Sequence, residues 1–243
     1  MGHPLSPLFH LFLLSPPLYS LRMKKTLSLF ALCLLLTACG SKTVRYRLAF
    51  DTADMLRRSE LTAAAARVIE GRVVARGKQL LSHETKTDGE NVTIIAEVSD
   101  AEAATALQDG LLTPFTMTIM KQVEKGMGDI VSEKFGEFKE TGITTKHFDW
   151  VSAGTAGAEA EVNGAVIIQF TPEGQELLKK IFKENRGSVI GIFVRGQLMS
   201  KKLIDSKDTQ GSIAIDGIPN PALAGAFADD VNVGLHVTFI PIQ

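Results

Sequence analysis

The chain has 243 residues, of which 45% are hydrophobic and 22% charged, with a formal net charge of −1. That length suits one large or two small domains, and the composition is that of a globular chain able to bury a core. Residues 1–38 carry the basic Arg22, Lys24 and Lys25 and no acid. The remainder is therefore mildly acidic and has no basic stripe, which argues against nucleic acid as a partner.

Met23-Lys24-Lys25 forms a positive start, and residues 26–36 an apolar core of about a dozen residues, the length of a signal peptide. A bilayer span needs roughly 20. The segment ends in Leu36-Thr37-Ala38-Cys39-Gly40, which resembles the lipobox of bacterial lipoproteins. In that family the cysteine thiol is acylated and, after cleavage, becomes the first residue. The resemblance implies a signal peptide over 23–38, lipid attachment at Cys39 with acyl chains such as palmitate, and a tether over 39–43. Residues 1–22, broken by Pro4, Pro7, Pro16 and Pro17, read as a mis-called start; a longer leader is the alternative. Cys33 would leave with the signal peptide and Cys39 would be capped. No disulfide, cysteine metal site or thiol nucleophile is then expected. The expected location is extracytoplasmic, anchored by lipid to the cell membrane or to an outer membrane facing the periplasm.

Residues 44–122 read as a first unit. A strand over 44–51 precedes a helix over 59–76, with Leu61, Ala65, Val68, Ile69 and Val73 on one face. Gly71 inside that helix costs about 1 kcal/mol relative to alanine, which suggests close packing there. Strands over 79–85 and 91–98 flank an Asp88-Gly89 turn. Ser99 and Glu102 form a capping box for a short helix ending at Gly110. A strand over 113–122, with Phe115, Met117 and Ile119 on one side, completes a β-α-β-β-α-β order. That is the ferredoxin-like arrangement, shared by many functions.

Residues 123–140, charged and glycine-containing, read as a linker. Residues 141–243 read as a second α+β unit. Its centre is a strand over 164–170, a helix opened by Thr171-Pro172-Glu173, a strand over 188–194, an Arg195-Gly196 turn and a strand over 197–204. A short strand at 212–215, a helix over 219–230 and a closing strand over 235–240 follow. The glycine-rich 153–158 lacks the ending of a phosphate-binding loop and reads as a flexible loop.

The runs Phe170-Thr171-Pro172-Glu173-Gly174, residues 190–200 and residues 211–217 resemble the first periplasmic domain of SecD, an accessory subunit of the bacterial protein-export translocase. The resemblance covers roughly residues 44 to 240, with its specific motifs in the second half. It implies an α+β fold, with a ferredoxin-like base followed by a head-like subdomain. The chain departs from the family pattern at Arg195, where the family has Asp, and at Lys201-Lys202, where it has Ala-Pro. SecD also carries membrane helices that couple transport to the proton gradient; this chain ends where they would begin, so no proton-driven motor is expected.

Catalytic patterns are absent from the sequence. His83, His147 and His236 have no metal-ligand spacing, no G-x-S-x-G elbow occurs, and Asp229-Asp230 reads as a solvated helix face. The expectation is a protein that is not an enzyme and binds no cofactor or metal. Lys201 and Lys202 read either as charge guarding an edge strand or as a contact for an acidic partner or lipid headgroups. Trp150 reads either as a partner anchor or as a cap on the core. The function implied is a lipid-anchored binding domain that assists protein export or holds polypeptide at the membrane, with translocase components as partners. The alternative is an envelope lipoprotein with a structural or assembly role. Peptide capture on apolar surface or an open sheet edge is the expected mechanism.

Overall fold

Alternation governs the first strand, β1 (Lys42–Phe50): Tyr46 and Leu48 are buried while Arg45 and Arg47 face solvent. The computed structural model describes residues 40–156, 163–205 and 211–242; the leader and Cys39, with its expected lipid, lie outside them. Helix α1 (Met55–Ala75) starts a turn earlier than Ser59, because the Asp54 carboxylate accepts from the Leu56 and Arg57 amides at 2.8 and 3.2 Å. The expected stripe from Leu61 to Val73 is its buried face. Strands β2 (Leu80–Asp88) and β3 (Asn91–Val98) form the expected hairpin, with Gly89 at φ +58° in the turn. Helix α2 (Ala101–Leu112) is capped by Asp100, which accepts from the Ala103 amide at 2.8 Å. Ser99 instead donates to the Asp100 carboxylate, so the capping box expected one residue earlier does not form.

The chain continues through β4 (Met117–Val123), β5 (Ile130–Ser132), β6 (Gly136–Ile143), a 3-10 turn (Thr145–His147), β7 (Phe148–Ala156) and β8 (Asn163–Phe170). Helix α3 (Pro172–Glu184), β9 (Val189–Val194), β10 (Gln197–Leu203), β11 (Ser212–Ile218), α4 (Pro221–His236) and β12 (Val237–Pro241) complete it. The expected linker at 123–140 thus carries β5 and most of β6. The expected loop over 153–158 begins as the end of β7; its last two residues lie outside the described ones.

The fold is α+β, and the described residues form three antiparallel sheets ordered β12-β1-β3-β2, β10-β9-β4-β6-β5 and β11-β8-β7. The strand expected to close the first sheet, β4, sits at the centre of the second, and the C-terminal β12 takes its place beside β1. Burial explains the exchange. Met117 and Ile119 enter the main core, while Met120 enters a separate cluster with Phe138 and Phe193, so β4 is apolar on both faces. A strand buried on both sides belongs inside a covered sheet. The first sheet has helices on one face only, which suits β12, where Phe239 alone is buried. Pairing across the expected boundary joins both halves, and Ser41–Gln243 is one compact unit.

Helix α4 lies between the two large cores. Val233 packs with the first sheet and its helices, whereas Ala224, Ala228 and Val231 pack with the second and third sheets and α3. Its small residues allow close approach, since a Cβ at Gly234 would overlap the Phe115 ring. Gly71 of α1, by contrast, has open space around its missing side chain, so packing does not account for that glycine.

Arg195 adopts φ +49° in the β9–β10 turn, followed by Gly196 at +75°. Tertiary contacts hold this left-handed arginine. Its guanidinium pairs with Asp230 on α4 and lies 5.0 Å from the Phe115 ring centroid. Arg72 of α1 reaches the same carboxylate at 2.9 Å and also donates to the Gly110 carbonyl. Asp230, expected as a solvated helix face, therefore ties α1 and the hairpin tip to α4. Burial, outweighing Asp230 and reinforced by Arg195, pushes the Arg72 guanidinium below its ordinary range.

The loop between β4 and β5 is held by Glu137, whose carboxylate accepts from the Gly126 and Gly128 amides at 2.8 and 3.0 Å. Those backbone donors hold its carboxyl below the ordinary range. A lowered folded-state value adds stability above the ordinary carboxylate range of about 4, and loses it as pH falls through the lowered value. Glu137→Gln is therefore expected to melt earlier than the parent at neutral pH, with the gap closing as the pH falls below the ordinary carboxylate range. Thermal scans in both pH ranges check this; an equal gap in both would remove the carboxylate from the account.

Candidate polypeptide-binding edge

Sheet edges expose backbone donors and acceptors, and proteins blunt them with short strands, proline, bulges, charge or cover. Among the described residues, five of the six sheet edges are short, bulged within their paired length or covered. Strand β12 is five residues long and ends in Pro241, and β5 has three residues. Strand β10 bulges between Leu198 and Ser200 and carries Lys201 and Lys202; β11 bulges between Ile215 and Ile218, with Gly217 at φ +74°. The edge of β7 is sealed by Asn232 of α4, whose side-chain amide donates to the Val151 carbonyl and accepts from the Val151 amide, both at 2.8 Å.

The remaining edge belongs to β2, nine residues long and exposed along almost all its length. After an irregularity between Leu80 and Ser82, its pairing with β3 is regular from Ser82 to Asp88. His83, Thr85 and Thr87 lie opposite Ala96, Ile94 and Val92, the buried residues of β3, and so face the helix side. Ser82, Glu84, Lys86 and Asp88 take the open side, where Lys86 and Glu84 pair at 3.3 Å. The helix side of β2 thus has neither lysine nor acid to repel an added strand.

Beside that edge runs a groove of about 390 Å³ between β2 and α1. Thr85, Thr87 and Val92 form its floor, and Ser59, Ala63 and Ala66 its wall. The alanine run of α1 creates it, because short side chains leave the threonines uncovered. Met55, 69% exposed, stands at one end, and Arg58 donates to the Glu90 carbonyl at 2.7 Å across the hairpin tip. An extended chain added to β2 would hydrogen-bond along the strand and place alternate side chains in the groove.

The residues singled out from sequence lie elsewhere. Lys201 is exposed on the β10 edge, its ammonium 4.6 Å from the Phe135 ring centroid; Lys202 beside it is half-buried. Trp150 is half-buried on β7, with His236 stacked at 5.6 Å and Arg57 5.1 Å from the ring centroid. Arg57 pairs with Asp149 at 3.3 Å, and His236 joins Asp51 to the Asp149 carbonyl. This arrangement ties the end of β1 to β7. Of the other histidines, His83 lies on β2 and His147 is buried beneath α3, accepting from the Thr144 amide at Nδ1. Among the described residues no cluster of His, Cys, Asp and Glu is suited to a metal ion, and no helix is long and apolar enough to cross a membrane. The β2 edge went unlocated in the sequence; its local signal is the threonine alternation facing an alanine-rich helix.

No protein-family model matches the chain, and no curated protein matches it. Among solved structures the chain resembles SecDF. A structure described as a membrane component SecDF that enhances protein export is 16% identical, with a TM-score of 0.43, covering 82% of this chain and 98% of that one. SecDF in a super-membrane-facing form is 17% identical, with a TM-score of 0.44 over 92% of this chain. SecDF of Thermus thermophilus, a translocon-associated membrane protein, is 16% identical, with a TM-score of 0.47 over 90%. In the latter two the matched region is 35% of the SecDF chain. The likeness to SecDF is one of general α+β arrangement.

Proposed function

We propose that this protein is a lipid-anchored extracytoplasmic domain that captures extended polypeptide by strand addition at β2. The observation that carries this is the β2 edge, regularly paired from Ser82 to Asp88 and uncharged on its helix side, beside a groove with a small, uncharged floor. Main-chain pairing recognises any extended segment, and a shallow groove accepts small or medium apolar side chains without a strict sequence. Such tolerance suits unfolded chains of varied sequence. The lipobox ending at Cys39 supports the anchor, and the motifs resembling SecD support exported chains as the polypeptide.

The test uses the full chain extracted from membranes in mild detergent, with fluorescent, reduced and carboxymethylated α-lactalbumin as the unfolded probe. Binding is expected in the range of about 1–50 μM. Thr85→Lys, which puts a charge on the groove side of an exposed position, is expected to weaken it at least about tenfold while leaving the melting midpoint nearly unchanged. Equal binding by parent and variant, or no binding by the parent at tens of micromolar, would refute the proposal.

A further inference from the structure

The open side of β2 reads Ser82, Glu84, Lys86, Asp88, with opposite charges placed evenly about Thr85. Symmetry makes this spacing informative. If two copies paired antiparallel through β2 with all helices on one face, each residue would lie opposite one of the same facing. Only registers centred on a residue satisfy this. Centring on Glu84 would set the two Glu84 side chains against each other. Centring on Lys86 would oppose the two lysines and place Glu84 against Asp88. Centring on Thr85 sets each Glu84 opposite Lys86 of the second copy and Ser82 opposite Asp88. On the groove side that register brings His83 opposite Thr87. Centring on Thr87 would pair Lys86 with Asp88 but set Glu84 against Glu90 past the strand's end, and centring on His83 would pair no opposite charges within the strand. Like charges directly opposite disfavour pairing and unlike charges favour it, so the Thr85-centred register, which matches charges along the whole of Ser82–Asp88, stands out.

We propose that a second copy of this chain occupies the β2 edge in that Thr85-centred register. The two four-stranded sheets then join into one, and the grooves beside the two α1 helices meet over the seam. Glu84 and Lys86, already paired within the strand at 3.3 Å and more than half exposed, are available on the open side to the neighbouring strand. The inference rests on the reading of β2 as a docking edge and adds its regulation: the dimer is the resting form, and polypeptide enters by displacing the second copy.

Cysteine cross-linking in membranes of cells producing the full chain tests this. Across an antiparallel pair the Thr85 Cα atoms would be about 4.5–5.5 Å apart, within disulfide range. Thr85→Cys is expected to give an oxidised dimer at least about fivefold above the parent, which sets the background. Thr87→Cys should stay at background, because in this register it faces His83. Adding Glu84→Lys or Lys86→Glu to Thr85→Cys should reduce the dimer several-fold, and both together should restore it. No dimer from Thr85→Cys, equal cross-linking at 85 and 87, or indifference to charge reversal would overturn the proposal. Polypeptide binding by Lys86→Glu separates the two readings. Retained binding with no Thr85→Cys dimer defeats self-pairing alone, whereas Thr85→Lys binding as the parent does defeats the polypeptide edge. Excess unfolded α-lactalbumin should also reduce the Thr85→Cys dimer; a yield it leaves unchanged would overturn the displacement.

Discussion

Gly174→Ala is expected to destabilise the fold by about 3 kcal/mol, at the upper end of overpacking costs. Gly174 is the last residue of the Phe170–Gly174 motif and lies in the first turn of α3, buried against the 3-10 turn that precedes β7. A Cβ there would overlap the backbone carbonyl of His147. That carbonyl cannot readily move, since it accepts from the Thr171 amide at 3.0 Å at the helix cap. For a chain of this size the cost is a fall of roughly 6–12 °C in the melting midpoint. Gly71→Ala is the control: it is also helical, with nothing near its missing Cβ, and should be neutral or raise stability by up to about 1 kcal/mol. If the two variants melted alike, the motif glycine would not be explained by its seat on His147.

The second large effect concerns the sealed edge of β7. Asn232 is 6% exposed, and its amide satisfies both the amide and the carbonyl of Val151. Asn232→Ala leaves two buried backbone groups without those partners. Each such loss costs about 1–3 kcal/mol, so a destabilisation of about 2–6 kcal/mol is expected. Hydrogen exchange at the Val151 amide should accelerate more than at residues paired to β8. A loss below about 0.5 kcal/mol would mean that other groups satisfy Val151 equally well. The contrast with β2 matters for function: α4 supplies a side chain that closes one edge, while α1 lines the middle of the other with alanine, serine and threonine, its Met55 and Arg58 standing at one end.

Much of the local structure was legible in the sequence. The stripe from Leu61 to Val73, the Asp88-Gly89 hairpin and the Thr171-Pro172 helix start stand where expected, because each depends on neighbours a few residues away. The capping residues of α1 and α2 were missed, since Asp54 and Asp100 compete with equally suitable hydroxyls nearby. Arg195 was a poor turn residue by local rules, yet it occupies the turn. Its compensation, Asp230 and the Phe115 ring, lies far away in the chain.

The candidate site was hardly legible. An exposed strand and an alanine-rich helix are ordinary features one at a time, and the groove exists only where α1 lies beside β2. Lys201, Lys202 and Trp150 drew notice as unusual residue types. Of these, Lys201 and Trp150 lie against other side chains of the fold.

By itself the sequence determined the helices, most of the hairpin strands and the apolar face of each, because hydrophobic period, caps and turns act over a few residues. The short or polar β5, β6 and β7 carry no such local signal and read as linker and loop. Tertiary structure alone decided which strands share a sheet and which edge stays open. Strand pairing joins segments far apart in the chain, so β4 and β12 could be told apart only by the depth at which each is buried.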